Sequence, residues 1–165
     1  NDVNLRDIEG RSALLLGRAK DNNAATALGP AIRLFDSGFT LEDVRRAEIA
    51  LRIEGEDGFV LDEAGGVGAI SRDPADLVAQ AANAHHQYPD GFVLFLGTPF
   101  SPGKDRSTPG GGFTHVPGDR VRIASGRLGA LCNQVARTDG CPPWRFGAGA
   151  LFRSLAARGL PRTAS

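Results

Sequence analysis

Residues 92–102 read FVLFLGTPFSP, and this stretch is the most informative part of the chain about its fold. Phe92–Leu96 is a short apolar run rich in aromatic side chains, which is typical of a strand buried on both faces. The run ends at Gly97-Thr98-Pro99, where glycine permits backbone angles that other residues avoid and proline has no N–H to donate. The pattern therefore predicts a central strand with Thr98 at its mouth, either in a binding loop or in a plain turn.

Two segments upstream of this stretch predict a hairpin. Residues 46–54 alternate between apolar and charged side chains, as in a half-exposed strand. Asp57-Gly58 is a strong hairpin-turn signal, and Phe59–Leu61 is predicted to return as the partner strand. Glu54-Gly55-Glu56 has the spacing of a carboxylate pair for a metal, but a charged hairpin tip is the preferred interpretation.

The region after the quoted stretch predicts a loop, a second hairpin and a final helix. Residues 103–112 form a polar loop of a length that is often functional. Residues 120–123 alternate like a strand, and Leu128–Val135 follows after a turn at Ser125-Gly126. Phe146–Arg158 has an apolar stripe at helical spacing, which predicts a closing helix.

The remaining elements complete the predicted fold class. Asp73–Gln87 predicts a helix that covers the sheet, with Asp73 as its N-cap and Pro74 in its first turn. Ser12–Lys20 predicts a short helix and Ala31–Phe35 a short strand. About seven strands and two or three helices that do not alternate indicate an α+β, β-rich fold, with a mixed or antiparallel sheet curled into a roll or sandwich.

Length and composition are those of one ordinary globular domain. The 165 residues include 41% hydrophobic and 23% charged side chains, with 19 basic residues against 19 acidic ones. The sequence has no basic stripe of the kind that would favour nucleic acid as a partner. No apolar run approaches the roughly 20 residues needed to span a bilayer. Cys132 and Cys141 lack a metal-type spacing, so we expect a reduced cytoplasmic protein. The chain opens without the basic or apolar region of a signal peptide. It contains no Met, even at position 1, so upstream sequence is expected.

Short motifs in a fixed order resemble the fumarylacetoacetate hydrolase family over almost the whole chain. Their order and spacing make the resemblance specific, although each motif is short. They are Asn1–Asp7 (NDVNLRD), Lys20, Gly29-Pro30, Gly97-Thr98-Pro99, Pro117-Gly118-Asp119 and Gly129–Val135 (GALCNQV). The run His85–Thr98 is similar to a branch of the family whose members dehydrate 2-keto-3-deoxy sugar acids.

This resemblance implies a fold, a cofactor and partners. The implied fold is a mixed β-sandwich roll, N-terminally incomplete, with residues 1–160 as a single partial catalytic domain and residues 161–165 as a frayed tail. The implied cofactor is Mg²⁺ or Mn²⁺ held by carboxylates, the partner is a small 2-keto acid, and the assembly is a homodimer. The implied reaction is dehydration of a 2-keto-3-deoxy sugar acid or C–C bond hydrolysis, through a metal-stabilised enolate.

Four residues match functional positions of the family. Asp2 matches a metal ligand, and Lys20 matches a catalytic lysine that would transfer a proton. Arg6 matches a substrate-binding arginine, and Thr98 matches a hydroxyl that binds a substrate carboxylate or keto oxygen. We expect Asp2 and Lys20 to lie near each other, with Thr98 facing the same cleft.

Departures from the family pattern leave an alternative open. The family's other metal carboxylates form a Glu-x-Glu pair upstream of the motif at which this chain begins. Glu54 and Glu56 have that spacing but lie downstream, so the role is not transferred to them, and Glu9 stands where the family often has Gln. The chain is therefore either part of an enzyme or a truncated, non-catalytic remnant that acts as a folded or dimerising module.

Overall fold

The computed structural model describes residues 1–9, 11–99 and 101–160, so the predicted tail at 161–165 lies outside the described residues. In the described part, four β-strands form one sheet, accompanied by short helices. The strands are β1 (Glu48–Glu54), β2 (Val60–Gly66), β3 (Arg120–Ser125) and β4 (Gly129–Gln134). The α-helices are α1 (Arg6–Glu9), α2 (Leu16–Lys20), α3 (Leu41–Arg45), α4 (Pro74–Ala81) and α5 (Ala148–Ala157). None of these described helices has both the length and the apolar character needed to cross a membrane.

The sheet has the strand order β2-β1-β3-β4, and every neighbouring pair is antiparallel. β1 and β2 form the first predicted hairpin, and Gly58 in its turn has a φ of +80°, a conformation that glycine adopts without strain. β3 and β4 form the second predicted hairpin, which closes with Ser125 opposite Gly129. Pairing of β1 with β3 joins the two hairpins into one sheet.

A small apolar core lies on one face of this sheet. Ile53 of β1 pairs directly with Leu61 of β2 and with Val121 of β3, so their side chains share a face, and all three are buried. Phe113, from the segment that precedes β3, packs against them. The alternating pattern of residues 46–54 therefore places its apolar side chains as the sequence predicts.

The polar loop at residues 103–112 is attached to the sheet through Arg106, a buried cation. Its guanidinium donates two hydrogen bonds to Asp119, at 2.6 and 2.8 Å, and further bonds to Asp57 in the β1–β2 turn. The guanidinium carbon also lies 4.7 Å from the ring centre of Phe59. One side chain therefore links the loop, the first hairpin and the start of β3.

The helix predicted at Asp73–Gln87 forms as α4 but ends earlier. It begins as predicted, because the Asp73 carboxylate accepts a backbone hydrogen bond within the first turn and Pro74 occupies the first turn. Asn83 ends the helix, since its side-chain amide donates to the carbonyl of Gln80 at 2.9 Å. Pro74 is the only fully buried residue of α4, so the helix does not cover the sheet as predicted.

The other two predicted helices are confirmed, with changes at their ends. Ser12–Lys20 divides into a 3₁₀ turn and α2, and the Ser12 hydroxyl accepts the N–H of Leu14 as a cap. Phe146–Arg158 forms as the shorter α5, and Gly159 beyond it has the φ of +70° that is common where helices stop.

The central strand predicted at Phe92–Leu96 is wrong for the described structure. The segment has no regular secondary structure, and Phe92, Val93 and Phe95 are 40%, 65% and 43% exposed. The strand predicted at Ala31–Phe35 is likewise absent, so the described residues contain four strands instead of about seven. An apolar run signals a need for burial, but it does not specify the neighbouring strand whose backbone would supply the hydrogen bonds.

The partial burial of Leu94 sets the expected effect of a substitution there. Leu94→Ala should lower the free energy of unfolding by less than about 1 kcal/mol, because the side chain is only partly buried. The same substitution at the fully buried Leu61 should cost about 2–5 kcal/mol, because it leaves a cavity in the core. Urea unfolding of the two variants makes the comparison, and equal losses would place Leu94 in a core that the structure does not show.

Candidate active site

A half-buried ion pair joins the two residues that the sequence assigns to metal binding and catalysis. The Lys20 Nζ donates to the Asp2 Oδ2 at 2.7 Å, and the two side chains are 34% and 27% exposed. The main chain brings them together: Asp2 pairs with Thr26 in an isolated antiparallel bridge, and the N–H of Leu5 donates to the carbonyl of Ala19 at 3.0 Å. The prediction that Asp2 and Lys20 lie near each other is confirmed.

Two asparagines that the sequence analysis left without a role hold the segment that carries Asp2. The Asn1 side-chain amide donates to the Asn133 side chain of β4 at 3.2 Å, which ties the segment to the sheet. Asn4 donates to the Glu9 carboxylate, and the buried Oδ1 of Asn4 has no hydrogen-bond partner in the described part of the chain. The inward position of Asn133 could have been found from the sequence, because the alternation of β4 places Asn133 on the same face as Leu131.

A cavity of about 490 Å³ opens between this N-terminal segment and strands β3 and β4. Asn1 and Val3 line it, whereas Asp2 does not, and Ala19 lines it, whereas Lys20 does not. The ion pair therefore lies beside the cavity and not within its wall. The polar lining includes His115 and Asn133, while Val121 and Val135 are part of the apolar wall.

For the two residues predicted to bind substrate, Thr98 and Arg6, no contact with the Asp2–Lys20 pair is described. Thr98 is exposed and follows Gly97, whose φ of +86° fits the expected turn. No described contact joins Thr98 to Asp2 or Lys20, and Thr98 does not line the cavity. Arg6 lies in α1, but its side chain is outside what the structure describes. The prediction that Thr98 faces the same cleft therefore stays a prediction.

The described residues do not form a complete site for a divalent metal. No group of three or more His, Cys, Asp or Glu side chains within residues 1–9, 11–99 and 101–160 is arranged to hold an ion. The Asp2 carboxylate already accepts a hydrogen bond from the Lys20 ammonium. Hard cations moreover need several oxygen ligands at fixed distances. Glu54 instead pairs with Arg52 at 2.7 Å, in agreement with its interpretation as part of a charged hairpin tip.

Comparison with known proteins agrees with the motif order. Residues 1–136 match the fumarylacetoacetate (FAA) hydrolase C-terminal domain. A solved structure of 2-keto-3-deoxyarabinonate dehydratase in a hexagonal crystal form is similar with a TM-score of 0.67 and 25% identity, over 82% of this chain and 43% of that one. A structure of 2-keto-3-deoxy-D-arabinonate dehydratase with magnesium and 2,5-dioxopentanoate gives 0.65 and 25%, over 81% and 43%. A comparison with curated protein sequences found no match.

These similarities fix the family and the coarse fold. The antiparallel four-stranded sheet with its short helices is similar in fold to dehydratases of this type, although the chain spans only 43% of each of the two solved chains. The family match covers residues 1–136, which include the Asp2–Lys20 pair, Thr98 and the sheet. The chain therefore belongs to the fumarylacetoacetate hydrolase family.

Proposed function

We propose that the protein is a hydrolase or lyase that acts on a 2-keto acid, with dehydration of a 2-keto-3-deoxy sugar acid as its reaction. The observation that carries the proposal is the half-buried Asp2–Lys20 pair, placed 18 residues apart in sequence yet 2.7 Å apart in space. The similarity to two structures of a 2-keto-3-deoxyarabinonate dehydratase supports the sugar acid as substrate. Hydrolytic cleavage of a C–C bond in a β-diketo acid is the second reaction that the same residues would serve.

Lys20 would transfer the proton. Dehydration removes a proton from the carbon next to the keto group and expels hydroxide from the following carbon. A neutral primary amine can accept that proton and, as the ammonium, can pass it to the departing hydroxide, which leaves as water. Proton transfer by a positioned side chain is typically worth about 10²–10⁴ in rate. The hydrogen bond from Lys20 to Asp2 restricts where the Nζ atom can lie, which supports a fixed position for the transferring group.

Thr98 and Arg6 would bind the substrate. A hydroxyl at the end of a glycine turn can donate a hydrogen bond to a carboxylate or keto oxygen, and an arginine binds a carboxylate through two parallel N–H donors. The positive φ of Gly97 presents Thr98 on an exposed turn, which supports this role. We further propose that the protein works in the cytoplasm as a homodimer, in which Cys132 and Cys141 remain free thiols.

Asp2 would supply one oxygen ligand to Mg²⁺ or Mn²⁺. The other ligands would come from outside the residues that the structure describes. We therefore expect the 165-residue chain alone to bind Mn²⁺ only weakly and to turn over no 2-keto acid, because one carboxylate does not displace the waters of a hydrated ion. Calorimetric titration with Mn²⁺ checks this, with Asp2→Asn as the matched variant. Tight stoichiometric binding that survives Asp2→Asn would show that other carboxylates form the site.

A second candidate is a non-catalytic remnant that acts as a folded or dimerising module, since the described residues contain no group of three or more His, Cys, Asp or Glu side chains placed to hold a metal ion. The two candidates differ in a direct assay. The protein expressed from its whole reading frame is mixed with Mg²⁺ and 2-keto-3-deoxyarabinonate, and formation of the dehydrated product is followed. Turnover supports the enzyme, particularly if the frame encodes a Glu-x-Glu pair upstream of Asn1. A stop codon close upstream and no turnover support the remnant.

A further inference from the structure

We propose that Thr26 is a further substrate-binding residue, whose hydroxyl contacts a hydroxyl group of the sugar acid. This assignment rests on the proposed function and on one juxtaposition, since Thr26 lies directly opposite Asp2 in an isolated antiparallel bridge. Residues directly opposite each other in antiparallel strands place their side chains on the same face. The Thr26 side chain therefore lies on the face of the ladder from which the Asp2 carboxylate projects.

The backbone hydrogen bonds beside this bridge show how close the two side chains are. The N–H of Ala27 donates to the carbonyl of Asn1 at 2.9 Å, and the backbone nitrogen of Asn1 donates to the carbonyl of Ala27 at 2.8 Å. Asn1 and Ala27 are thus a hydrogen-bonded pair, and the next pair, Asp2 with Thr26, is of the non-hydrogen-bonded type. In such pairs the Cβ atoms lie roughly 4.5–5.5 Å apart, so one small ligand can contact both side chains.

The lining of the cavity distinguishes the two faces of this short ladder. Alternate residues of both strands line the cavity, namely Asn1, Val3, Ala25 and Ala27. Asp2 and Thr26 lie between them in sequence and do not line it, and neither does Lys20, the ion-pair partner of Asp2. Thr26 is exposed on the face away from the cavity. That face therefore presents a carboxylate, an ammonium group and a hydroxyl together.

The chemistry of Thr26 complements that of the ion pair. A threonine hydroxyl both donates and accepts hydrogen bonds, so it can pair with a sugar hydroxyl in either direction, whereas a carboxylate only accepts and an ammonium group only donates. A site that pairs with a substrate hydroxyl also discriminates against an analogue that lacks it. Thr26 would thus select a hydroxylated acid, whereas Thr98 is proposed to bind a carboxylate or keto oxygen.

The test compares Thr26→Val with Thr26→Ser in the protein expressed from its whole reading frame, with Mg²⁺ present. Valine keeps the branched shape that suits a strand and removes the hydroxyl, whereas serine keeps the hydroxyl. Thr114→Val is the matched control, because Thr114 lines the cavity, on the side of the ladder away from Asp2. The measurements are KM and kcat for 2-keto-3-deoxyarabinonate and the inhibition constant of 2-ketopentanoate, which has the same carbon chain without hydroxyl groups.

We expect Thr26→Val to raise KM for the sugar acid by about three- to tenfold, the effect of one lost hydrogen bond, with kcat little changed. Thr26→Ser and Thr114→Val should keep the KM of the unaltered protein, and Thr26→Val should leave inhibition by 2-ketopentanoate unchanged. The assignment is overturned if Thr26→Val keeps the original KM, if either other variant raises KM equally, or if Thr26→Val weakens 2-ketopentanoate binding to the same degree. An unaltered protein that converts no sugar acid would instead refute the proposed function and this assignment with it, so the two failures are distinguishable.

Discussion

Replacing Lys20 by alanine is expected to lower turnover of the 2-keto acid by about 10²–10⁴-fold, the usual value of a positioned proton-transfer group. Metal affinity should change far less, because the lysine is an ion-pair partner of Asp2 and not itself an oxygen ligand. The folded state should survive, since an ion pair as exposed as this one contributes at most about 1 kcal/mol. The measurement is steady-state kinetics on the protein from the whole reading frame, together with a Mn²⁺ titration.

The chain offers a matched control for this experiment. It contains two lysines, Lys20 and Lys104. Lys104 is exposed, and its ammonium donates to the backbone carbonyl of Val60, away from Asp2. Lys104→Ala should therefore leave turnover close to that of the unaltered protein. If Lys20→Ala and Lys104→Ala had equally small effects, the proton-transfer group would have to be another residue.

Replacing Arg106 by methionine is expected to destabilise the fold by about 3–5 kcal/mol, because it leaves the buried Asp119 carboxylate without its counterion. The double variant Arg106→Met with Asp119→Leu should recover much of that loss, since replacing both members of a buried pair by apolar residues is often nearly neutral. Urea denaturation of the two variants measures the difference. A single variant that loses less than about 1 kcal/mol would mean that water reaches the pair.

The same ion pair predicts a dependence of stability on pH. Burial opposes ionisation of Asp119, but hydrogen bonds from Arg106 and from the N–H of Val116 outweigh it and hold the pKa of Asp119 below its usual value of 3.8. A carboxyl group with a lowered pKa in the folded state stabilises the fold at pH values above the pKa of the unfolded chain. That stabilisation is lost as the pH falls through the folded pKa. Stability should therefore drop steeply below about pH 4, and the drop should be smaller in Asp119→Asn.

Local signals in the sequence were sufficient to predict the two hairpins and the start of α4. Residues 46–54 alternate, Asp57-Gly58 specifies the turn, and Asp73 caps the helix that follows; each signal acts within a few residues. Phe92–Leu96 shows the limit of such signals. The apolar run predicts a buried strand, but nothing in it specifies a neighbouring strand, and in the described structure the segment has no regular secondary structure.

The two ion pairs also differ in how far the sequence could predict them. The motif order of the family placed Asp2 and Lys20 together correctly, whereas nothing in the polar loop distinguished Arg106 from an ordinary exposed arginine. Burial of Arg106 depends on Asp57 and Asp119, which lie 49 and 13 residues away in sequence. Only the assembled sheet brings those two carboxylates to one point, and sequence spacing alone does not encode that convergence.

The central claim is that Asp2 and Lys20 belong to the site that processes a 2-keto acid. The most direct measurement is conversion of 2-keto-3-deoxyarabinonate by the protein from its whole reading frame with Mg²⁺, run beside Asp2→Asn and Lys20→Ala. The account predicts formation of the dehydrated product by the unaltered protein and its near-complete loss in both variants, with far-UV circular dichroism unchanged. It is contradicted if the folded protein neither dehydrates this acid nor cleaves a β-diketo acid, or if both variants keep the activity of the unaltered protein.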